Sequence, residues 1–594
     1  MNESKRNEQT TQFIQTKANM IWNVADILRG LYKPHEYGKV ILPMTVIKRL
    51  HDTLLPTRDE VLKASEKHVG TNGPMRNKFL EKASGYSFYN TSLYTFETLI
   101  ADPENIEVNF RAYLNGFSEN MQDILANFKF EQEISNMAEN DALFYVIQEF
   151  NKKESYLGPD KVTSTDMGYI FEELVRKFSE SYNEEAGAHF TSRDVIYLMT
   201  DLLLAEDSET LVGEDVVKTV YDQTMGTSQM LSAMIERIHD FNESAEVRTF
   251  GQELNPETFA IAKADTMIRG GNPDNMAKGN TLSDDKFTNY TFDYCISNPP
   301  FGIDWKSAKS AVEKEHELGD AGRFSPGLPK ISDGQLLFQL NGLSKLKDTG
   351  RMAIVHNGSA LFSGNAGGGE SAIREYAIEN DWVEAIIQLP TDLFYNTGIS
   401  TYVWILTKNK SAERQGKIQL VDASKMFEKR RKNIGNKRVD ISEPCREIIV
   451  KAYGEFQNEI YHLNDKVVES KIFDNDDFGF TKVTVESPLK DENGELVLKK
   501  DKVVVDPALR DTEDIPLKED IQEYFEREVL PFNPDAWMDR KKDRIGFEIP
   551  FTRLFYKYTA PEPSEVIAER IKELEASIVA NFEALSEKDV PNFD

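Results

Sequence analysis

The stretch VYDQTMGTSQML, from Val220 to Leu231, decides the fold class of this chain. It begins with a β-branched and aromatic pair, continues with an acid and a turn of small residues around Gly226, and ends in helix-forming residues. This order predicts a strand, a tight turn and a helix, the unit that opens a cofactor-binding α/β domain. The turn has a single glycine where such loops usually have several.

Short β-rich runs alternate with helix-length segments on both sides of this stretch. Between about residues 186 and 425 the runs are VVKTVYD, RTFGQEL, FDYCISN, RMAIVHN, VEAIIQLP and TYVWILT. Strands separated by helices predict a doubly wound, mostly parallel sheet. Ligands of such a sheet bind at the carboxyl ends of its strands, so we expect the functional site there.

The chain of 594 residues is long enough for several domains. An apolar face formed by Ile21, Ala25, Leu28 and Leu31 predicts that the N-terminal domain is helical. We expect this helical domain over residues 1–155, the α/β domain over 156–470, a β-hairpin with a DENGE turn over 471–516, and a helical C-terminal region over 517–594.

The C-terminal segment SEVIAERIKELEASIVANFEAL carries a heptad stripe. Ile567, Ile571, Leu574, Ile578 and Leu585 follow four-and-three spacing, with Asn581 at the heptad position between the last two. An apolar stripe at the end of the printed sequence favours a helix that pairs with another subunit. The alternative is a helix that packs on its own domain.

Charge and composition exclude several function classes. A net charge of −30 argues against a protein that wraps nucleic acid with its whole surface, but it is compatible with a local basic cleft or with a partner subunit that carries the recognition surface. No apolar run approaches the roughly 18 residues of a membrane span, and the N-terminus lacks an apolar signal region. The two cysteines and scattered histidines form no metal-ligand pattern. We therefore expect a cytoplasmic protein with no metal and no membrane contact.

The segment CISNPPFG, Cys295 to Gly302, is the main candidate for chemistry. Two prolines fix the backbone after a strand, so the side chain of Asn298 and the carbonyl of Pro299 can point together into the space above the sheet edge. These two acceptors can hold a planar exocyclic amine while Phe301 stacks on its ring. Hydrogen bonds that pull the amine toward tetrahedral geometry free its lone pair for attack on an electrophilic methyl group, without a strong base.

These motifs together resemble the modification subunit of type I restriction–modification systems, in the family of S-adenosylmethionine-dependent adenine N6 methyltransferases. The resemblance rests on Asn298-Pro299-Pro300-Phe301, on the loop at 222–228, and on AHFTSRDV, FGQELNPETFAIAKADTMIRGG, GNTLSDD and LPTDLFYNTGISTYVWIL. It extends over nearly the whole chain. It implies a Rossmann-like catalytic domain with a helical N-terminal domain and a helical C-terminal tail. The NPPF motif alone is shared with methyltransferases that modify other amines.

The resemblance also implies the cofactor residues. Ala188, His189, Phe190, Thr191, Ser192 and Arg193 match the segment that lines the methionine end of the cofactor, with Ser192 where a proline is usual. Asp222, Thr224, Met225, Gly226 and Ser228 match the turn under the cofactor. Glu253 would accept hydrogen bonds from both ribose hydroxyls, and Asn280 would lie at the rim of the adenine ring. The alternatives are a surface acid for Glu253 and a turn residue for Asn280.

The loop departs from the family pattern at two points. Gln223 replaces a proline, and Ser228-Gln229 replace the small residues at the start of the helix. We expect Ser228 to cap the helix and the cofactor to bind, whereas Gln229 would point either into the cofactor site or away from it.

Two other features have two interpretations each. His356 in VHNGSALF is either a substrate contact or a structural residue. The basic run from Glu428 to Lys432 either meets DNA phosphates or forms a solvated helix face.

The expected function is methyl transfer from S-adenosylmethionine to N6 of adenine in duplex DNA, with the target base flipped out of the helix. The resemblance implies a specificity subunit that reads the sequence, with two copies of this chain for each specificity subunit, and a restriction subunit that completes the nuclease. One alternative is a non-catalytic scaffold with a degenerate cofactor loop. Another is a protein or RNA amino-methyltransferase.

Overall fold

The computed structural model describes residues 3–180, 191–300, 302–395, 397–434, 436–500, 502–557 and 562–586. By its internal contacts the chain divides into two compact units, Met1–Ile549 and Pro550–Asp594. The first unit contains the helical N-terminal region, the large sheet and a smaller antiparallel sheet. The second consists of C-terminal helices.

The N-terminal region is helical, as predicted. Its helices are α1 (Glu3–Trp22), α2 (Val24–Leu28), α3 (Gly38–Leu54), α4 (Arg58–Lys67), α5 (Gly73–Ser84), α6 (Phe96–Ile100), α7 (Ile106–Asn115), α8 (Glu119–Ala126), α9 (Glu131–Glu139), α10 (Ala142–Phe150) and α11 (Ser164–Glu180). Ile21, Ala25 and Leu28 are buried, so the predicted apolar face is the one that packs. The ion pair of Lys48 with Asp52 is buried inside α3, and Asp52 also accepts from Leu157 N at 2.7 Å.

The central domain is built on a ten-stranded sheet. Its strands are β1 (Val217–Asp222), β2 (Glu246–Glu253), β3 (Met276–Lys278), β4 (Phe292–Ser297), β5 (Leu346–Asn357), β6 (Val383–Gln388), β7 (Thr401–Thr407), β8 (Lys417–Asp422), β11 (Glu459–Leu463) and β12 (Lys466–Asp474); β9 (Glu428–Ile434) and β10 (Lys437–Asp440) form a separate hairpin. The order is β11-β12-β8-β6-β7-β5-β4-β1-β2-β3, and β7, β11 and β12 pair antiparallel to their neighbours. The predicted doubly wound, mostly parallel sheet is confirmed.

Helices cover both faces of this sheet. They are α12 (Arg193–Ala205), α13 (Ser208–Leu211), α14 (Gln229–Phe241), α15 (Pro256–Ile268), α16 (Lys309–Glu317), α17 (Gln335–Ser344), α18 (Ser359–Phe362), α19 (Gly369–Glu379) and α20 (Glu443–Glu455). One face of α15 belongs to the hydrophobic core of the N-terminal helices through Ala260, Ile261 and Ala264. The strand order reverses at β1, whose neighbours are β2 and β4, so the crevice that binds ligands in such folds lies at the ends of these three strands.

The region after the large sheet differs in detail from the prediction. The DENGE turn is present. Gly494 N donates to Asp491 O at 3.0 Å, and Lys490 and Leu496 pair in an isolated antiparallel β-bridge. The main pairing, however, joins β13 (Gly479–Glu486) to β16 (Asp511–Pro516), β17 (Trp537–Met538) and β18 (Arg544–Phe547), while β14 (Leu498–Lys499) and β15 (Lys502–Val503) form a small hairpin. This region also contains the short helix α21 (Ile521–Tyr524). Strands therefore continue past residue 517, because β17 and β18 pair with β13, which is distant from them in sequence.

The second unit contains α22 (Phe551–Phe555) and α23 (Ser564–Ser586). The stripe residues Ile567, Ile571, Leu574 and Ile578 are 43–58% exposed. The side chain of Leu585 lies outside the described residues. Among the described residues, no helix is long and apolar enough to cross a membrane.

Candidate active site

A cavity of about 290 Å³ opens at the carboxyl ends of β1, β2 and β4. It is lined by the predicted site residues Thr191, Asp222, Thr224, Met225, Gly226, Glu253, Asn280, Asn298 and Pro300. These residues come from five separate stretches of the chain. The fold therefore brings most of the described candidates to one place.

The other candidates lie elsewhere. Ser228 and Pro299 are buried beside the cavity without lining it. Ser192 and Arg193 border a separate open polar groove, where Arg193 stacks on the ring of Tyr169. Ala188, His189, Phe190 and Phe301 lie outside the described residues.

The turn after β1 holds its backbone amides toward the end of β2. Gly226 has a φ of +51°, a left-handed conformation, and its N–H donates to Glu253 Oε2 at 2.9 Å. Met225 N donates to Gln252 O at 3.1 Å. The single glycine thus stands where the turn requires a positive φ, because a residue without a Cβ adopts it at little cost.

The expectation that Ser228 caps α14 is wrong. Ser228 is the N-cap residue, but its φ of +70° differs from the extended backbone of a capping serine, and its side chain accepts no hydrogen bond from the helix. Its buried Oγ has no hydrogen-bond partner among the described residues. A glycine would adopt this conformation without strain.

Gln223 and Gln229, the two departures from the family pattern, are both tied into the fold. Gln223 Oε1 accepts from Asn341 Nδ2 at 2.6 Å, and Gln223 O accepts from Thr281 Oγ1 at 2.6 Å. These bonds hold the loop where a proline would restrict it covalently. Gln229 Nε2 donates to Gly168 O on α11 at 2.6 Å, so its amide is directed to that helix while the residue still borders the cavity.

Two acidic side chains share the cavity. Glu253 accepts from Gly226 N through Oε2 and from Asn255 N through Oε1, at 2.9 and 2.7 Å. Asp222 is 1% exposed and accepts from Thr224 N at 3.0 Å. Burial raises the pKa of Asp222 to about 8; the hydrogen bond from Thr224 opposes this shift and the nearby Glu253 carboxylate adds to it.

This raised pKa makes Asp222 destabilising when it ionises. In the unfolded chain the carboxyl has its ordinary pKa of 3.8, so between about pH 4 and pH 8 only the folded chain holds this proton, and the stability falls as the pH rises across that range. Asp222→Asn keeps the acceptor for Thr224 N but cannot ionise. We expect it to stabilise the ligand-free protein by a margin that grows from about pH 5 to about pH 8.5, measured by urea unfolding.

Glu214→Gln is the matched control, because Glu214 is an exposed acid near the start of β1. Its effect should not vary in this way with pH. A margin for Asp222→Asn that is equal at both pH values would contradict the assignment of a buried, protonated carboxyl.

Asn280 is both a turn residue and a residue of the cavity wall, so the two interpretations of this residue are compatible. Asn280 Oδ1 accepts from Leu282 N at 3.0 Å, and the residue also lines the cavity. The apolar walls of the cavity, formed by Leu254, Ile303 and Phe338, were not predicted from the sequence. Leu254 and Ile303 closely follow predicted site residues, which is a usable signal, whereas Phe338 is on α17 and only packing places it here.

Asn298 has a fixed orientation at the cavity wall. Its Nδ2 donates to Thr191 Oγ1 at 2.8 Å, and its Oδ1 is buried with no hydrogen-bond partner among the described residues. Behind it, Thr224 Oγ1 and Ser297 Oγ are 3.0 Å apart and hydrogen-bonded. Because a buried acceptor without a partner is costly, this oxygen points to a donor that the ligand must supply.

A buried polar network lies beside the segment that follows NPPF. His356 Nδ1 donates to Gln335 Oε1 at 3.2 Å, so its Nε2 is an acceptor. The Gln339 side-chain amide lies 3.1 Å from that Nε2, and its N–H donates to Nε2 in the amide orientation that also gives the Gln339 nitrogen a partner. Asp333, bonded to Gln335, accepts from Gly302 N at 3.4 Å. Burial lowers the pKa of His356 to about 3, so this histidine is neutral and structural.

The sequence of this chain matches two family profiles. The profile of the N-6 DNA methylases matches residues 163–492, and that of the HsdM N-terminal domain matches residues 17–150. The first covers the large sheet and the whole cavity. The second covers most of the N-terminal helices.

Individual relatives agree with these profiles. The MjaIX methylase subunit of a type I restriction enzyme from Methanocaldococcus jannaschii is 24% identical over 436 residues, which is 70% of this chain and 74% of the relative. The MpnII methylase subunit from Mycoplasma pneumoniae is 24% identical over 473 residues, 73% of this chain and 82% of the relative. The crystal structure of a type I restriction–modification methyltransferase subunit from Streptococcus thermophilus shares the fold, with a TM-score of 0.59, 23% identity, and coverage of 78% of this chain and 96% of that one. This chain therefore belongs to the N-6 DNA methylase family, among the methylase subunits of type I restriction enzymes.

Proposed function

We propose that this adenine-specific DNA methyltransferase uses Asn298 and Pro299 to hold the target amine and the cavity at β1, β2 and β4 to hold S-adenosylmethionine. The observation that carries the proposal is the buried Asn298 Oδ1, which has no partner among the described residues while Nδ2 is held by Thr191. An amide oriented in this way presents an acceptor to an N–H donor. An exocyclic amine of adenine provides that donor.

The polar side chains of the cavity fit the chemistry of the cofactor. Asp222, which is protonated in the ligand-free protein, and Glu253 place two carboxyl groups in one enclosed space, and a ligand that carries positive charge would favour the ionised form of Asp222. S-adenosylmethionine carries an ammonium and a sulfonium group, and when bound it supplies an electrophilic methyl group. Glu253 would accept from the ribose hydroxyls with its remaining lone pairs, and the loop at Thr224, Met225 and Gly226 would lie under the ligand.

The chain's own residues then activate the amine. Asn298 Oδ1 and the Pro299 carbonyl accept its two N–H groups and draw the nitrogen toward tetrahedral geometry, so its lone pair becomes available for attack. This role needs no strong base, and His356 is not one, since it is buried and neutral. The adenine must leave the duplex to reach this wall, and Phe301 would stack on it.

The departures of the cofactor loop from the family pattern suggest one alternative, a non-catalytic scaffold that does not bind the cofactor. Calorimetric titration of the purified chain with S-adenosylmethionine, alone and with a specificity subunit, separates the two. Binding at micromolar affinity would support the enzyme with a variant loop. If neither state bound the cofactor, the proposed site would be abandoned in favour of the scaffold.

The proposed partners are duplex DNA, a specificity subunit and a restriction subunit, with two copies of this chain for each specificity subunit. The support is the family of type I restriction enzyme methylase subunits and the exposed apolar stripe on α23. An exposed stripe of this kind on a long helix is typical of a surface that pairs with another helix. We assign it to the specificity subunit.

Replacing both Ile571 and Leu574 by Glu should abolish co-purification with the specificity subunit, because it places two charges in the centre of the stripe. Cofactor affinity should be unchanged. Size-exclusion chromatography of the co-expressed subunits measures the first effect and calorimetry the second.

Lys572→Glu is the matched control, since it changes the charge of the same helix outside the stripe. It should leave the complex intact. A complex that survives the double substitution would refute this use of α23.

A further inference from the structure

Strands β9 and β10, residues 428–434 and 437–440, form a hairpin that stands apart from the large sheet; we name it the basic hairpin. Its sequence, EKRRKNI and KRVD, concentrates positive charge in a chain of net charge −30. The run at 428–432 is thus a strand rather than the solvated helix face considered from the sequence. Pairing with β10, which sequence periodicity did not reveal, decides this.

Three cations of the basic hairpin point to solvent. Lys429, Arg431 and Arg438 are exposed. Within the described ranges, no carboxylate forms an ion pair with any of them. Asp440 pairs with Arg430 and Lys437, and Glu428 pairs with Lys466.

The end of the hairpin at which β9 connects to β10 is held to the catalytic domain by hydrogen bonds. Lys437 is 1% exposed, and its Nζ donates to Asp194 Oδ2 at 2.8 Å, to Leu393 O at 3.0 Å and to Ser192 Oγ at 3.3 Å. The backbone N–H of Arg438 donates to Asp392 O at 2.8 Å. The exposed cations therefore lie on a hairpin that is anchored to the catalytic domain and not on a free loop.

This anchor also places the hairpin beside the proposed catalytic asparagine. Ser192, which contacts Lys437, directly follows Thr191, which accepts from Asn298 Nδ2 at 2.8 Å. A short chain of direct contacts thus links the basic hairpin to the group that would hold the target base. Because Thr191 lines the cavity, a duplex whose base enters it would pass near the hairpin.

We propose that Lys429, Arg431 and Arg438 bind backbone phosphates of the DNA that flanks the flipped adenine. The inference rests on the proposed function, because it takes the cavity as the place where the base enters. Phosphate contacts of this kind fix the register of the duplex without reading its sequence. This chain would therefore contribute to DNA affinity itself, next to the specificity subunit that reads the target.

The test compares two triple variants in the complex with the specificity subunit. One carries Lys429→Gln, Arg431→Gln and Arg438→Gln. The matched control carries Lys499→Gln, Lys500→Gln and Lys502→Gln, which removes three exposed lysines from the separate hairpin of β14 and β15. Fluorescence anisotropy with a short duplex of random sequence gives the affinity between about 0.05 and 0.2 M KCl.

The basic-hairpin variant should bind the duplex about 10- to 100-fold more weakly at about 0.1 M KCl, and its slope of log affinity against log salt should be smaller by about 0.9 for each lost phosphate contact. The control should retain the wild-type slope. An unchanged slope in the basic-hairpin variant, or an equal loss in the control, would overturn the proposal. Calorimetry with S-adenosylmethionine distinguishes failure of the proposed function from failure of this inference. If the wild type does not bind the cofactor, the proposed function is wrong. If the cofactor binds and the salt slope of the basic-hairpin variant is unchanged, only this inference is wrong.

Discussion

Asn298→Ala should lower the rate of methyl transfer by about 10²- to 10³-fold or more, the effect of removing one hydrogen-bond acceptor or donor that acts in the transition state. The substitution removes the oxygen that draws the amine toward tetrahedral geometry. Cofactor affinity should stay within about threefold of the wild type, since the groups at β1 and β2 are untouched. Single-turnover transfer to DNA measures the rate, and calorimetry measures the affinity.

Thr191→Val is an informative companion, because it leaves Oδ1 in place and removes only the hydroxyl that orients it. We expect Thr191→Val to lower the rate of methyl transfer by less than Asn298→Ala does. Thr191→Ser keeps the hydroxyl and should retain the wild-type rate. Methyl transfer at the normal rate by Asn298→Ala would show that the catalytic assignment is wrong. A parallel loss of cofactor binding would instead indicate a general collapse of the cavity.

Glu253→Ala should weaken the binding of S-adenosylmethionine by about 1 to 3 kcal/mol, roughly 5- to 150-fold, the cost of losing a charged hydrogen-bond partner. The carboxylate also accepts from Gly226 N and Asn255 N, so part of the loss would come from the loop. Glu253→Gln keeps one acceptor oxygen and should fall between the alanine variant and the wild type. Calorimetric titration of the purified variants measures the affinities.

Glu246→Gln provides the control at the opposite end of the same strand. Glu246 is exposed and pairs with Arg248, away from the cavity. Its substitution should leave cofactor affinity unchanged. If both Glu253 variants bound S-adenosylmethionine with wild-type affinity, the ribose would not be bound by Glu253 and this role would be disproved.

The order of strands and helices could be predicted because it is written in local patterns. The predicted runs VVKTVYD, RTFGQEL and FDYCISN correspond to β1, β2 and β4, and each predicted strand of the α/β domain is found. Alternation of short apolar runs with helix-length segments is a property of neighbouring residues, so a single sequence reveals it. The strands after residue 517 were missed because β17 and β18 are short and gain their pairing from distant β13.

The candidate site was predictable residue by residue, but not as an arrangement. Gln229 could point either way from the sequence, and only the carbonyl of Gly168 on α11, 61 residues earlier, settles its direction. Ser228 has the side chain of a capping residue, yet its left-handed backbone prevents that use. Side-chain direction depends on the backbone angles and on neighbours that the fold brings from elsewhere.

By itself, the sequence determined the fold class, the helical N-terminal region and the identity of the motif residues, because these depend on composition and local periodicity. Tertiary structure alone decided how those residues act together. Thr191 orients Asn298 across 107 residues, and Lys437 anchors the basic hairpin to Ser192 across 245. The raised pKa of Asp222 likewise follows from burial under other segments. Contacts and burial of this kind arise only when distant parts of the chain pack, so no local pattern encodes them.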